Sequence, residues 1–94
     1  MTYDDIEVNG IVVLRRRKDN WLNANQILKV AGLGKKTRES ILQRERVVGE
    51  HEMVLRGATK YRGTWINFER GRELCKRYGV EELLYPLLTH HMSI

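Results

Sequence analysis

The sequence predicts an α+β fold of winged helix-turn-helix type, ordered hairpin, two helices, hairpin (wing), two helices. Three observations predict it. Asn9-Gly10, set between two apolar stretches, supplies the residues a tight type I′ hairpin turn requires. Two short amphipathic segments, broken at Gly32 and Gly34, have the outline of a helix-turn-helix. A second pair of strand-like stretches follows at once, where a wing belongs.

The elements follow in order. Ile6-Glu7-Val8 alternates and Ile11 to Arg17 returns, so residues 3–17 read as a β-hairpin. Lys18-Asp19-Asn20 is a turn, and Trp21-Leu22 a short strand. Asn23 suits a helix N-cap with Gln26 as its capping-box partner. Ala24, Ile27, Leu28 and Ala31 share one face, and Gly32 ends a helix over about 24–31. A second helix is expected from about Lys36 to Val47, with Ile41 and Leu42 inward and Gly49 as its stop. His51 to Leu55 and Tyr61 to Ile66 read as strands around the loop Arg56-Gly57-Ala58-Thr59-Lys60. Asn67 caps a helix over about 68–78, with Phe68, Leu74, Cys75 and Tyr78 facing inward and Gly79 closing it. Val80, Leu83, Leu84, Leu87 and Leu88 make an amphipathic stripe, which Pro86 is expected to bend or end. Residues 1–2 and 89–94 are expected to fray.

Ninety-four residues are one domain's worth of chain, too few to enclose a large catalytic cavity. Hydrophobic residues at 41% and charged residues at 31% fit a folded, water-soluble domain. The longest apolar run, Ile11 to Leu14, is far short of the ~18 residues of a membrane span, so no membrane partner is expected. The first residues lack the pattern of a secretory signal. Cys75 is the sole cysteine, which rules out an intrachain disulfide and a cysteine-based zinc site.

Charge is distributed unevenly. Residues 1–14 carry net −3, residues 15–62 carry net +8 from 13 basic and 5 acidic residues, and residues 63–94 are neutral. The basic span covers both the helix pair and the wing, so charge and architecture converge on a polyanion, nucleic acid being the commonest.

Motifs for other chemistries fail. Gly34-Lys35-Lys36-Thr37 lacks the spacing and the first glycine of a phosphate loop; its lysines instead place cations at a helix start, where free N–H groups also favour a DNA phosphate. His51-Glu52 lacks the second histidine of a zinc-protease motif, and His90-His91 lie in the expected tail. No nucleophile–base set assembles, so neither an enzyme, a cofactor nor a small-molecule substrate is expected. Trp21, Trp65 and Cys75 read as core. The run Arg15-Arg16-Arg17-Lys18 fits two roles equally, a solvated strand edge or a phosphate contact. The cations of the Gly- and Thr-containing loop, Arg56, Lys60 and Arg62, suit a hairpin tip laid on DNA.

Several of these segments together resemble the fungal APSES (KilA-N-like) DNA-binding domain. Asn20-Trp21-Leu22-Asn23-Ala24-Asn25-Gln26-Ile27-Leu28-Lys29 is similar to D-[DN]-W-[IL]-N-A-T-x-I-L-K. Gly49-Glu50-His51-Glu52-Met53-Val54 is similar to G-x-H-E-K-V, and Lys60-Tyr61-Arg62-Gly63-Thr64-Trp65-Ile66 to K-Y-Q-G-T-W-[VI]. Glu69 to Leu74, Tyr78-Gly79-Val80 and Pro86-Leu87-Leu88 continue in register, so the resemblance covers nearly the whole chain. It is nearest to the cell-cycle subgroup, the DNA-binding subunits of the G1/S factors MBF and SBF. The resemblance implies a nuclear, non-enzymatic domain that binds CGCG-centred elements in double-stranded DNA. It also implies a longer parent protein, with ankyrin repeats and a dimerisation segment that join other transcription-factor subunits.

The departures fall in the reading elements. The family's R-T-R-I-L-E is Arg38-Glu39-Ser40-Ile41-Leu42-Gln43 here. Its V-Q-G-G-Y-G-K-Y-Q-G wing is Val54-Leu55-Arg56-Gly57-Ala58-Thr59-Lys60-Tyr61-Arg62-Gly63, so two glutamines that help read bases in relatives are Leu55 and Arg62. The expected DNA-contacting residues are Lys35, Lys36, Arg38 and Arg44 of the second helix and Arg56, Lys60 and Arg62 of the wing over residues 55–62, with Gly57 and Gly63 permitting its shape. The alternative is a family member that has lost specific reading and serves as a partner subunit.

Overall fold

The computed structural model describes residues 2–89. Strands β1 (Tyr3–Val8) and β2 (Ile11–Arg16) form the expected antiparallel hairpin. Asn9 and Gly10 have φ of 51° and 81°, the left-handed pair that a type I′ turn demands. Strand β3 is Leu22–Asn23, one residue later than expected, because the Trp21 N–H closes the preceding turn on Asp19 Oδ1 at 3.1 Å.

Helices α1 (Ala24–Val30) and α2 (Lys35–Val48) form the helix-turn-helix. Asn23 caps α1 as expected, its side chain accepting from the Gln26 N–H at 3.3 Å. Gln26 does not complete a capping box. Its Oε1 accepts from the Leu14 N–H and its Nε2 donates to the Lys60 carbonyl, both at 2.8 Å, so it braces β2 against the wing. Helix α2 extends one residue beyond the expected 36–47 at each end, bounded by extended backbone at Gly34 and Gly49.

The wing comprises β4 (Glu52–Val54), a loop, and β5 (Gly63–Ile66). Both strands are shorter than expected. A 3-10 turn, Thr59–Tyr61, takes the place of the start of the second strand, and its Tyr61 ring lies 4.8 Å from that of Tyr3. Helix α3 (Phe68–Arg77) is capped by Asn67, which accepts from the Arg70 N–H at 2.9 Å, and α4 is Tyr85–Thr89. Pro86 therefore stands in the first turn of a helix rather than at its end, where its missing N–H has no intrahelical acceptor to lose. The chain turns over residues 81–84, which shifts the phase of the apolar stripe. Leu83 is 49% exposed while Val80, Leu84, Leu87 and Leu88 are buried. The expected fraying meets two ties: the Thr2 carbonyl accepts from the Arg17 N–H at 3.0 Å, and Thr89 ends α4. Residues 90–94, with His90-His91, lie outside the described residues.

The five strands form one antiparallel sheet in the order β1-β2-β3-β5-β4, so β3 bridges the two hairpins, pairing with β2 on one side and β5 on the other. Val13, Leu22, Ile27, Leu28, Leu42, Ile66, Leu74, Leu84 and Leu88 form the core between the sheet and the helices. Trp65 is buried as expected, whereas Trp21 is only half-buried. Cys75 is in the core, and burial pushes its thiol up to about 12, leaving it inert in the folded state.

The run Arg15-Arg16-Arg17-Lys18 is neither a strand edge nor a free cation cluster, because β2 is an inner strand. Arg15 is buried, donates to the Leu87 carbonyl at 2.7 Å and pairs with Asp4. Arg16 is buried between the rings of Trp21 and Trp65, 5.4 and 5.3 Å from their centroids, and pairs with Asp19 and Glu52. Arg17 pairs with Asp4 at 2.7 Å. The Arg17 hydrogen bond, joined by that of Arg15, holds the Asp4 carboxyl below its ordinary value. Burial pulls Asp19 upward, but the Arg16 bonds and the Trp21 N–H outweigh it and leave Asp19 lowered. Across the interval between folded and unfolded values the unfolded chain binds more protons. Their stabilisation is therefore complete above about pH 4 and is lost as pH falls through the folded values. Urea midpoints measured from pH 5 to pH 2 should fall in the parent protein and fall less steeply in the Asp4→Asn, Asp19→Asn double variant.

Candidate nucleic-acid interface

Ion pairing divides the cations into two groups. Arg15, Arg16, Arg17, Arg46, Arg70 and Arg72 each have a carboxylate partner. Lys35, Lys36, Arg38, Arg44, Arg56, Lys60 and Arg62 have none among the described residues. These seven lie on α2 and on the wing, and four further cations without a carboxylate partner among the described residues, Lys18, Lys29, Lys76 and Arg77, lie elsewhere. A paired arginine contributes little far field, so most of the unpaired basic charge projects from those two elements.

Helix α2 begins at Gly34 without a side-chain cap, and its first turn holds Lys35 and Lys36 and no carboxylate. Both lysines are exposed. The positive end of the helix dipole and two ammonium groups thus coincide. Arg38 is half-buried and donates from Nη1 to the Leu33 carbonyl at 2.6 Å, which straps the turn between the helices. Arg44 stands elsewhere on α2, lining a groove with Arg70 and Arg77 of α3.

In the wing, Gly57 and Gly63 have φ of 87° and 137°, conformations that a side chain disfavours. Arg56, Lys60 and Arg62 are exposed. Lys60 Nζ lies 5.2 Å from the Tyr61 ring centroid, on the side of the wing facing Arg17 and Tyr3. Arg62 donates from Nε to the Gly57 carbonyl at 2.9 Å across the loop. It shares a concavity of about 270 Å³ with Lys29, Asn25 and Leu55, between α1 and the wing. The expected residues are thus not one cluster: Lys35 and Lys36 mark the start of α2, Lys60 and Arg62 border different grooves, and Arg44 lies apart. Lys29 is the addition. Its signal is in the sequence, because Asn25, Gln26, Gly32 and Leu33, the positions three and four residues away, offer it no carboxylate. Leu55 is 69% exposed beside these cations.

Comparison with known proteins gives concordant results. The KilA-N domain family matches residues 6–92. Transcription factor SWI6 of Pyricularia oryzae is 55% identical over 89 residues, 95% of this chain and 10% of that protein. The cell division cycle-related protein res1/sct1 of Schizosaccharomyces pombe is 43% identical over 98 residues, 99% of this chain and 15% of that protein. Transcription factor MBP1 of Saccharomyces cerevisiae is 38% identical over 85 residues, covering 90% and 10%. The chain therefore spans only 10% to 15% of the length of these relatives. Among solved structures, a DNA complex of PCG2 superposes with a TM-score of 0.81 at 36% identity, covering 99% of this chain and 90% of that one. MBP1 from Saccharomyces cerevisiae superposes with a TM-score of 0.77 at 31% identity, covering 93% and 99%.

Proposed function

Since this chain belongs to the KilA-N (APSES) domain family, in the subgroup carried by fungal cell-cycle transcription factors, we propose that it is a DNA-binding domain that recognises double-stranded DNA with sequence preference. In this reading residues 1–94 act as one unit within a longer nuclear regulator of the G1/S transition, joined to other subunits by parts of the protein beyond this chain. The favoured target is a CGCG-like promoter element. The observation that carries the proposal is the sorting of cations: on α2 and the wing all but Arg46 lack a carboxylate partner among the described residues, whereas five arginines elsewhere have one. Unpaired cations on two adjacent elements of a winged helix-turn-helix suit a phosphate backbone.

The proposal is tested by titrating the domain into fluorescent duplexes with and without a central CGCG, at low and near-physiological salt. A preference of about 10-fold or more that survives added salt supports it. Equal affinities that collapse with salt favour the partner-subunit reading, for which the exposed Leu55 in the wing is the specific observation. Lys35, Lys36 and Lys60 act as phosphate contacts in this reading. Replacing each with alanine should weaken binding to all duplexes alike and reduce the salt slope by about 1. An unchanged slope in all three variants would remove both helix start and wing from the interface.

A further inference from the structure

A protein kinase needs an accessible hydroxyl on a segment that can enter its cleft extended, and it selects that segment by charge. Among the six described serines and threonines, Thr37 and Ser40 belong to α2, Thr64 is fully buried, and Thr89 Oγ1 donates to the Tyr85 carbonyl at 2.9 Å. Only Thr59 has a basic residue three positions before it, Arg56. Thr59 is exposed, as are residues 55–58 that lead to it, and its hydroxyl has no hydrogen-bond partner among the described residues. The grips of Gln26 and Asn23 on the main chain begin at Lys60 and Arg62, which leaves residues 56–59 held by the Arg62 bond to Gly57 and by one 3-10 turn. The family wing V-Q-G-G-Y-G-K-Y-Q-G has glycine at both positions 56 and 59, so the pair Arg56 and Thr59 is a departure of this chain.

We propose that Thr59 is a phosphorylation site for an arginine-directed serine/threonine kinase, and that its phosphate withdraws Lys29 and Arg62 from DNA. The second half rests on the proposal that the chain binds double-stranded DNA. In the transfer, Thr59 Oγ1 attacks the γ-phosphorus of MgATP held by the kinase. The Oγ1–P bond forms as the bond from that phosphorus to the β,γ-bridging oxygen breaks, ADP departs with the electron pair, and the hydroxyl proton passes to a carboxylate of the kinase. The product carries a charge of about −1.5 to −2 and three acceptor oxygens. Thr59 shares a concavity of about 270 Å³ with Arg62 and Lys29, and no carboxylate lines it. Neither terminal nitrogen of Arg62 meets an acceptor among the described residues, so its guanidinium offers the phosphate a bidentate fork. A phosphate held there cancels two cations of the surface between α1 and the wing, and it repels the backbone of a duplex.

The test incubates the domain with radiolabelled ATP and a calmodulin-dependent protein kinase, which selects arginine three residues before its acceptor. Mass spectrometry should find about one phosphate per chain, on Thr59. Thr59→Ala should lose the label, and Arg56→Ala should be labelled about 10-fold more slowly. The phosphorylated domain should bind all duplexes at least about 10-fold more weakly at low salt, with a salt slope shallower by about 2, so that the difference shrinks as salt rises. In a Lys29→Ala, Arg62→Ala double variant the same phosphate should cost less than about 3-fold. No label on Thr59, or labelling indifferent to Arg56→Ala, overturns the site. Binding unchanged by a phosphate on Thr59, or an equal loss in the double variant, overturns the switch. If the unmodified domain binds no duplex, the DNA-binding reading falls and takes the switch with it, while the labelling still decides the site. Thermal melting of the phosphorylated domain, expected within a few degrees of the parent because Thr59 is exposed, excludes unfolding as the cause.

Discussion

Replacing Gly63 with alanine should destabilise the domain by about 3 kcal/mol. Two effects combine. At φ 137° the backbone is strained for any residue with a Cβ. That Cβ would also stand 2.8 Å from Asn23 Oδ1 and 2.9 Å from Asn25 Oδ1. Neither amide is free to retreat. Asn23 Oδ1 caps α1 through the Gln26 N–H, and Asn25 Oδ1 accepts from the Thr64 N–H at 2.8 Å. Gly57 provides the control, since its φ is also positive, at 87°, but a Cβ there meets nothing within 4 Å. Gly57→Ala should therefore cost only about 1 kcal/mol, the strain alone. Urea denaturation of both variants separates strain from collision. Equal losses would mean that the asparagines yield.

Arg70→Met should be comparably damaging, by about 3 to 5 kcal/mol, because it strands a buried carboxylate. Arg70 Nη2 pairs with Glu45 Oε1 at 2.7 Å, and Glu45 is buried within α2. The same guanidinium donates to the carbonyls of Glu45 and Glu50, past the end of α2. One arginine thus joins α3 to the end of the helix-turn-helix. Adding Glu45→Leu should recover much of the loss, since an apolar pair commonly replaces a buried ion pair at little cost. Denaturation of the single and double variants checks this, and a double variant no more stable than the single would point to the carbonyl contacts instead.

Local chemistry made much of this domain legible. The Asn9-Gly10 turn, the Asn23 and Asn67 caps and the glycine stops each depend on residues within a few positions, and each occurs where the sequence places it. What escaped depends on partners far along the chain. Arg15 meets Leu87, 72 residues away, so nothing in its neighbourhood marks it as buried. Gln26 fits a capping box by spacing, yet two distant main-chain partners compete successfully for its amide. Pro86 reads as a helix breaker until the turn over residues 81–84 makes it a helix starter. The basic span of the interface was visible as charge. Which of its cations are paired was not, because Asp4 and Glu52 are brought to the Arg15–Arg17 run by strand order.

The anchors of the wing have a consequence for how such a domain changes over evolutionary time. Asn23 holds the carbonyl of residue 62, Gln26 that of residue 60, Trp65 Nε1 that of residue 61, and Asn25 the amide of residue 64. Every one of these grips falls on main-chain atoms. The scaffold is therefore indifferent to which side chains positions 60 and 62 display, and exposed positions 55 and 56 are equally unencumbered. Selection can exchange the displayed side chains, and with them the preferred promoter, without rebuilding the fold. A library randomised at these four positions should yield mostly folded proteins with divergent DNA preferences.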